Sequence, residues 1–303
     1  MKNKTRVSLI LAHVALLILV AVVLLVPKQR PTVREPYAML VGLAVIEGLF
    51  WVQYRRKKTG GYCDIILFVW VLFLIWELAT SVLHVAHPVL IPCPENVFDT
   101  FREQGGQLAL NVLYSMELLC VGFGAGRVLA VGLGLIAGWI PRLREFAYPI
   151  ANVMAPIPAI VFSPYLVALM PSFRSASVMV IILGVFWPNF LGTINRVNSI
   201  EARILDSARM LNLSNTAMIT QVLLPYVLPG VVAGLKVSVT TSLLMLNFAE
   251  LMGATHGMGY YVQNSITYAN YTHAVAGICC IGIVVTVLNQ LVNLIQKKAI
   301  IWK

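Results

Sequence analysis

The sequence predicts an all-α, polytopic transmembrane helical bundle of about eight spans, and three observations carry that prediction. Of 303 residues, 59% are apolar and only 11% charged, with a mean hydropathy of +0.84. A water-facing domain carries about 25% charged residues. The apolar residues gather into runs long enough to cross a hydrocarbon core of roughly 30 Å at the helical rise. The cations sit between those runs, with a strong bias to one side.

The first run, residues 7–26, follows Lys2, Lys4 and Arg6. It is longer than the apolar core of a signal peptide, and Val26-Pro27-Lys28 offers no small-x-small cleavage site, so it reads as an uncleaved helix. Residues 37–54 follow, closed by Arg55-Arg56-Lys57-Lys58, and then residues 64–85. A polar, proline-bearing stretch over 87–107 precedes the run 108–140. That run exceeds one span, so residues 108–118 are expected along the interface and 119–140 across the membrane. Runs at 147–170, 177–194, 230–253 and 273–295 complete eight spans. The number falls to seven if 37–54 is re-entrant.

Orientation follows from the cations. With a cytoplasmic N-terminus, the inner side holds Lys2, Lys4, Arg6, Arg55, Arg56, Lys57, Lys58, Arg142, Arg144, Arg196, Arg203, Arg209, Lys297, Lys298 and Lys303. The outer side holds Lys28, Arg30, Arg34, Arg102 and Arg174, while Arg127 and Lys236 fall within spans. A threefold excess inside fits a multi-pass cell-membrane protein with both termini in the cytoplasm. The net charge of +10 then reflects helix orientation beside anionic lipid head groups, and no nucleic-acid partner is implied. The five cysteines lack CxxC spacing and read as small apolar residues rather than a disulfide or metal framework.

The long cytoplasmic segment, about residues 196–228, is neither greasy nor a short turn. Ile200, Ile204, Ala208 and Leu211 share one arc at 100° per residue, with Glu201, Arg203, Asp206 and Arg209 on the other faces. This predicts an amphipathic helix over 201–213. Asn212 is a fitting stop, because asparagine tolerates the left-handed conformation that ends helices. Ser214 or Asn215 would cap a second short helix, and Leu224-Pro225 would mark re-entry to the membrane. Periodicity alone leaves open whether this is a grip for a partner or a solvated loop.

Asp206-Ser207-Ala208, Asn212, Val222 and Leu224-Pro225 stand at the spacing of an EAA-x3-G-x9-I-x-LP loop. Downstream lie Ala249-Glu250-Leu251-Met252-Gly253-Ala254 and Gly257-Met258-Gly259-Tyr260. Upstream lie Pro158 and Pro164, Phe186-Trp187-Pro188, Trp76-Glu77 and Ile91-Pro92-Cys93-Pro94. Together these resemble the membrane subunits of binding-protein-dependent ABC importers, of the nitrate/sulfonate/taurine group. The chain departs from that group in the loop identities (Asp for Glu, Ser for Ala, Asn for Gly, Val for Ile). It also has Leu169-Met170-Pro171-Ser172-Phe173 where a WFGIG-like turn is usual.

The resemblance implies a six-span core over 61–303, leaving residues 1–60 as an extra transmembrane hairpin without an assigned role. It implies a second permease copy or paralogue, cytoplasmic ATPase subunits and an extracytoplasmic solute-binding protein. Glu201, Arg203, Asp206, Ser207, Ala208, Arg209, Asn212, Leu224 and Pro225 would form the ATPase-coupling loop. The solute would be a small anion such as nitrate, a sulfonate or taurine, or a vitamin-precursor-like molecule. The chain has no GxxxxGK[ST] phosphate loop, so it is expected to be no enzyme and to hold no cofactor, ATP being used by the partner.

Charges inside spans are costly and face protein or water. Glu250 is either a pathway residue or a structural carboxylate bonded to a neighbouring helix. Arg127 either contacts an anionic solute or pairs with Glu117 or Glu250. Glu47 and Glu77 read as helix-packing partners. Pro156, Pro158 and Pro164 would break a helix, which marks Pro158 and Pro164 as pathway candidates. Gly122, Gly124, Gly126, Gly132, Gly134 and Gly138 predict close helix packing. Two rival classes remain, a secondary active transporter and a non-transporting scaffold or sensor. The first would show inverted repeats, and none is evident.

Overall fold

The structure, a computed structural model, describes residues 2–26, 35–57 and 60–299. Pro27 and the cations Lys28, Arg30, Arg34, Lys58 and Lys303 lie outside these. All regular structure among the described residues is helical. Seven helices are long and apolar enough to cross a membrane, and a bent pair makes up to eight. The chain divides into two units, Met1–Ala109 with Val262–Cys279, and Leu110–Tyr261 with Cys280–Lys303.

In the first unit, α1 (Lys2–Leu25), α2 (Tyr37–Lys57) and α3 (Gly60–Glu77) share one core. Ala12, Ala15, Leu19 and Val23 of α1 meet Met39, Leu43 and Phe50 of α2 and Cys63, Ile66 and Trp70 of α3. Ile10, Leu17, Val41, Val45, Ile65 and Phe68 point outward and are exposed. Such a surface is stable only against lipid. Glu47 Oε1 lies 3.1 Å from His13 Nε2 of α1, the interhelical partner that its place in the hairpin calls for.

α3 runs into a π-type turn at Leu78–Val82. The Trp76 indole N–H donates to the Pro92 carbonyl at 2.9 Å, tying the end of α3 to the proline-bearing stretch. Much of that stretch proves helical. Pro94 opens α4 (Pro94–Trp139), a place where the missing N–H costs nothing, and Glu95 lies in its first turn. Arg102 Nε donates to Asp99 Oδ1 at 2.7 Å one turn later. The expectation that residues 108–118 lie along the interface is overturned. They belong to α4, and its one non-helical residue is Gln104 (φ −110°, ψ 16°).

In the second unit, α4 packs closely on α7 (Phe173–Asn198). A Cβ on Gly122 would come within 2.8 Å of Ile181, one on Gly134 within 2.7 Å of Thr193, and one on Gly138 within 2.8 Å of Val197. Gly126 is similarly close to Ile182, whereas Gly124 and Gly132 meet nothing within 4 Å. The packing stripe is therefore four glycines, not six. α7 itself starts at the divergent Pro171-Ser172 turn with a capping box. The Ser172 hydroxyl accepts from the Ser175 amide at 3.2 Å, and Ser175 Oγ accepts from the Ser172 amide at 3.3 Å.

The run 147–170 does not cross as one rod. α5 (Pro141–Met154) is followed by a 3-10 turn, Ala159–Phe162, and α6 (Ser163–Leu169), with an 85° bend between them. Pro156 and Pro158 sit at the bend, where the chain is extended (Pro158 ψ 122°), and Pro164 opens α6. The segment after α7 then carries α8 (Ala202–Met210). α9 (Asn215–Ala217) continues through a π-type turn, Met218–Leu223, into α10 (Leu224–Ala233). α11 (Leu235–Leu251), α12 (Met258–Thr267) and α13 (Tyr271–Ala299) complete the chain.

Candidate functional site

α8 is the amphipathic helix expected over 201–213, trimmed at both ends. Glu201 is its N-cap residue, and Asn212 adopts φ 51°, the left-handed stop that its side chain tolerates. Ala208, 7% exposed, and Ile200 are buried with Leu135, Val197, Met218, Leu223 and Val227. The rest of the predicted apolar arc is corrected. Ile204 is exposed, and Met210 and Leu211 are 83% and 72% exposed. The helix ends before Leu211, so that residue leaves the 100° register, and Leu205 instead packs on the core.

Around the apolar tip the charges pair locally. Arg203 lies 3.4 Å from Glu201, and Arg209 lies 3.2 Å from Asp206, all well exposed. The Ser207 hydroxyl donates to the Arg203 carbonyl at 2.8 Å, so serine at this motif position turns back onto its own helix.

Leu224-Pro225 lies within a longer helical path. Ser214 Oγ accepts from the Ala217 amide at 3.3 Å, capping a helical path that runs from Asn215 to Ala233 and is apolar enough to span. Pro225 stands at the start of α10, where its ring is tolerated. The span expected at 230–253 is broken at Gly234, between α10 and α11.

Glu250, 1% exposed, is held on both carboxylate oxygens. Ser115 Oγ donates to Oε1 at 2.6 Å, and the Gly259 amide donates to Oε2 at 2.7 Å. The Met258 amide in turn donates to Ser115 Oγ, and the Gly257 amide to Asn111 Oδ1, both at 2.8 Å. Gly253 and Gly257 have φ of 152° and 123°. The whole Ala249–Tyr260 motif is thus one turn wrapped on a carboxylate, with α4 supplying the second wall. Ser115 and Asn111 escape sequence reasoning, because nothing in the order of residues sets them beside Glu250.

Arg127 reaches neither Glu117 nor Glu250. Glu117 pairs with Arg174 at an exposed site. Arg127, 8% exposed, donates through Nη1 to Asn189 Oδ1 at 3.0 Å and through Nη2 to the Val231 carbonyl, and it lies over the Phe123 ring. Ser238 also donates to Asn189 Oδ1, at 3.3 Å. Among the described residues Arg127 has no carboxylate partner. Pro158 lies at the exposed α5–α6 bend and Pro164 in the first turn of α6, apart from these clusters in the sequence and sharing no hydrogen bond with them.

The described residues thus form a helical, multi-pass bundle with a broken span, a carboxylate-locked turn and an apolar-tipped amphipathic helix. The model of the binding-protein-dependent transport system inner membrane component family matches residues 130–300, and the chain belongs to that family. Its relatives within that family include permeases named for sulfonate, taurine and nitrate transport. The taurine transport system permease protein TauC of Escherichia coli (strain K12) is 24% identical over 260 residues, covering 83% of this chain and 92% of TauC. The nitrate import permease protein NrtB of Leptolyngbya laminosa is 25% identical over 236 residues, covering 76% and 85%. SsuC of Bacillus subtilis (strain 168), a permease protein provisionally named for aliphatic sulfonates transport, is 26% identical over 254 residues, covering 82% and 92%. A chain of the MetNI methionine ABC transporter shares the fold, with a TM-score of 0.56 at 19% identity, covering 65% of this chain and 97% of that one.

Proposed function

We propose that this chain forms the membrane pathway through which a small anion is imported, driven by a separate cytoplasmic ATPase seated on α8. The observation that carries the reading is the build of α8. Ala208 anchors it in the core while Ile204, Met210 and Leu211 are presented outward beside Arg203 and Arg209. An apolar tip ringed by charge is costly in water and suits a groove in a partner. ATP belongs to that partner, a solute-binding protein delivers from outside, and a second permease copy or paralogue completes the assembly. Both termini then face the cytoplasm.

An anionic solute, of the nitrate, sulfonate or taurine kind or a vitamin-precursor-like acid, is supported by Arg127. A buried guanidinium within a span and without a counter-carboxylate raises the local potential for an anion. The names of the relatives point the same way. Glu250 reads as the holder of the Gly253–Gly259 turn rather than as a gate, since both its oxygens are engaged. Pro158 borders the pathway at the bend, and Pro164 where α6 begins.

The test places single cysteines at Ile204, Leu211 and, as a control, Phe146, in the complex assembled with its ATPase. Crosslinks are expected from the first two positions only. If none forms while other permease–ATPase contacts do crosslink, the coupling role is lost. Arg127→Gln should assemble normally and lower anion uptake severalfold, and unchanged uptake removes Arg127 from the pathway.

A further inference from the structure

α10 ends at Ala233, and Gly234 separates it from α11. The last four carbonyls of a helix lack the amides of a following turn, and inside a membrane water does not replace them. Here the Gly230 carbonyl still accepts the Gly234 amide at 3.2 Å, and side-chain donors reach it and the other three. Arg196 Nη2 donates to the Gly230 carbonyl at 3.2 Å and Arg127 to that of Val231. Gln296 Nε2 reaches Val232 and Ala233 at 2.9 and 3.0 Å. Three helices, α4, α7 and α13, thus supply donors to one helix end. Two of the donors are cations at the negative pole of the α10 dipole.

The slot for Arg196 is made by missing side chains. A Cβ on Gly230 would stand 2.5 Å from Arg196 Nε, and one on Gly192 would stand 3.1 Å from its Nη1. Gly234 is different. Its φ and ψ, −78° and −5°, are open to any residue, and a Cβ there would meet only the Gly230 and Val231 carbonyls at 3.6 and 3.7 Å. Neither space nor backbone conformation in this arrangement calls for glycine. Glycine would be called for there only by an arrangement in which position 234 takes up a different bend.

We infer that Gly234 is a hinge between the cytoplasmic surface and α11, and that Arg127, Arg196 and Gln296 are positioning residues that hold its carbonyl end. The helical path from the Ser214 cap reaches the hinge without interruption, and α11 beyond it carries Glu250. Side-chain donors let α10 and α11 change their angle without orphaning carbonyls, because guanidinium and amide groups can follow or be exchanged for backbone amides. This rests on the coupling role of α8, which supplies the push.

The test uses spin labels at exposed Leu228 and Leu244, which straddle the hinge, in the assembled complex with its native cysteines replaced. ATP with vanadate should shift the label-to-label distance in the parent chain. Gly234→Ala should keep or raise thermal stability yet cut that shift by at least half. Arg196→Leu should broaden the resting distance distribution, and Arg196→Lys, which keeps a cationic donor, should narrow it again. A parent distance that ignores nucleotide overturns the hinge, as does a Gly234→Ala shift equal to the parent's. A Leu211→Cys crosslink to the ATPase in the same samples separates the two ideas. If it forms and the hinge fails, the coupling role stands alone; if it never forms, both fall.

Discussion

The Ser115 hydroxyl of α4 lies 2.6 Å from Glu250 Oε1 of α11 and accepts the Met258 amide from the far side of the turn at 2.8 Å. One small side chain therefore joins a membrane-embedded carboxylate to the backbone that follows it. With the Gly259 amide on the other oxygen, the carboxylate is compensated by donors rather than by a cation. In a low-dielectric setting such a network is strong when complete and costly when broken.

Ser115→Ala should accordingly lower stability by about 1–3 kcal/mol, since it leaves a buried carboxylate oxygen and an amide without their partner. Glu250→Gln, which keeps one acceptor oxygen, should cost less than Glu250→Leu. Thermal unfolding of the detergent-solubilised variants measures both. Equal melting of Ser115→Ala and the parent would show that the network adds nothing.

Part of this was legible in the sequence. The left-handed stop at Asn212, the Ser214 cap, the bend at Pro156–Pro158 and the close face at Gly122, Gly126, Gly134 and Gly138 all follow from local chemistry or from helical spacing. What sequence reasoning missed depends on distant pairing. Ser115 and Glu250 are 135 residues apart, and no periodicity links them. In the sequence Arg196 is only one more cation beside a span, yet it donates to the carbonyl end of α10. Leu224-Pro225 reads as the entry to a span because proline favours a helix's first turn, yet the helical path already begins at Asn215. The break at Gly234 is harder to read, because a glycine in an apolar run gives little warning of it.

The locked turn makes a sharp prediction at Gly257. Its φ of 123° is one that side chains rarely adopt, and an added Cβ would overlap the Glu250 carboxylate. Gly257→Ala should cost about 1–3 kcal/mol from the backbone alone, and the overlap adds to it. Gly124→Ala, in open space on α4, should change the melting temperature little. The two variants measured side by side separate strain from a general intolerance of the chain.

Helix packing gives a second matched pair. Gly134 abuts Thr193 of α7, whereas Gly132, half a turn away, meets nothing within 4 Å. Gly134→Leu should force α4 and α7 apart, costing about 1–3 kcal/mol or more by overpacking. Gly132→Leu should be close to neutral. Similar losses for both would mean that the stripe is not the packing face.

The last prediction concerns α8, where anchoring and docking fall on different residues. Ala208 is buried against Leu135, Val197 and Val227, so Ala208→Leu has no room and should displace the helix, lowering stability by about 1–3 kcal/mol. Leu211 touches none of that core and is largely exposed, so Leu211→Asp should leave the isolated chain's melting unchanged. In the complex the order should reverse in kind. Leu211→Asp places a charge where an apolar tip meets its groove, and it should weaken ATPase co-purification at least tenfold, a cost of about 1.4 kcal/mol. The exposed pair Arg209–Asp206 should matter little to folding, being worth under about 1 kcal/mol in water. Co-purification of the ATPase with each variant, set against melting of the permease alone, reads the two effects separately. Loss of melting stability in Leu211→Asp would show instead that the tip belongs to the permease's own fold.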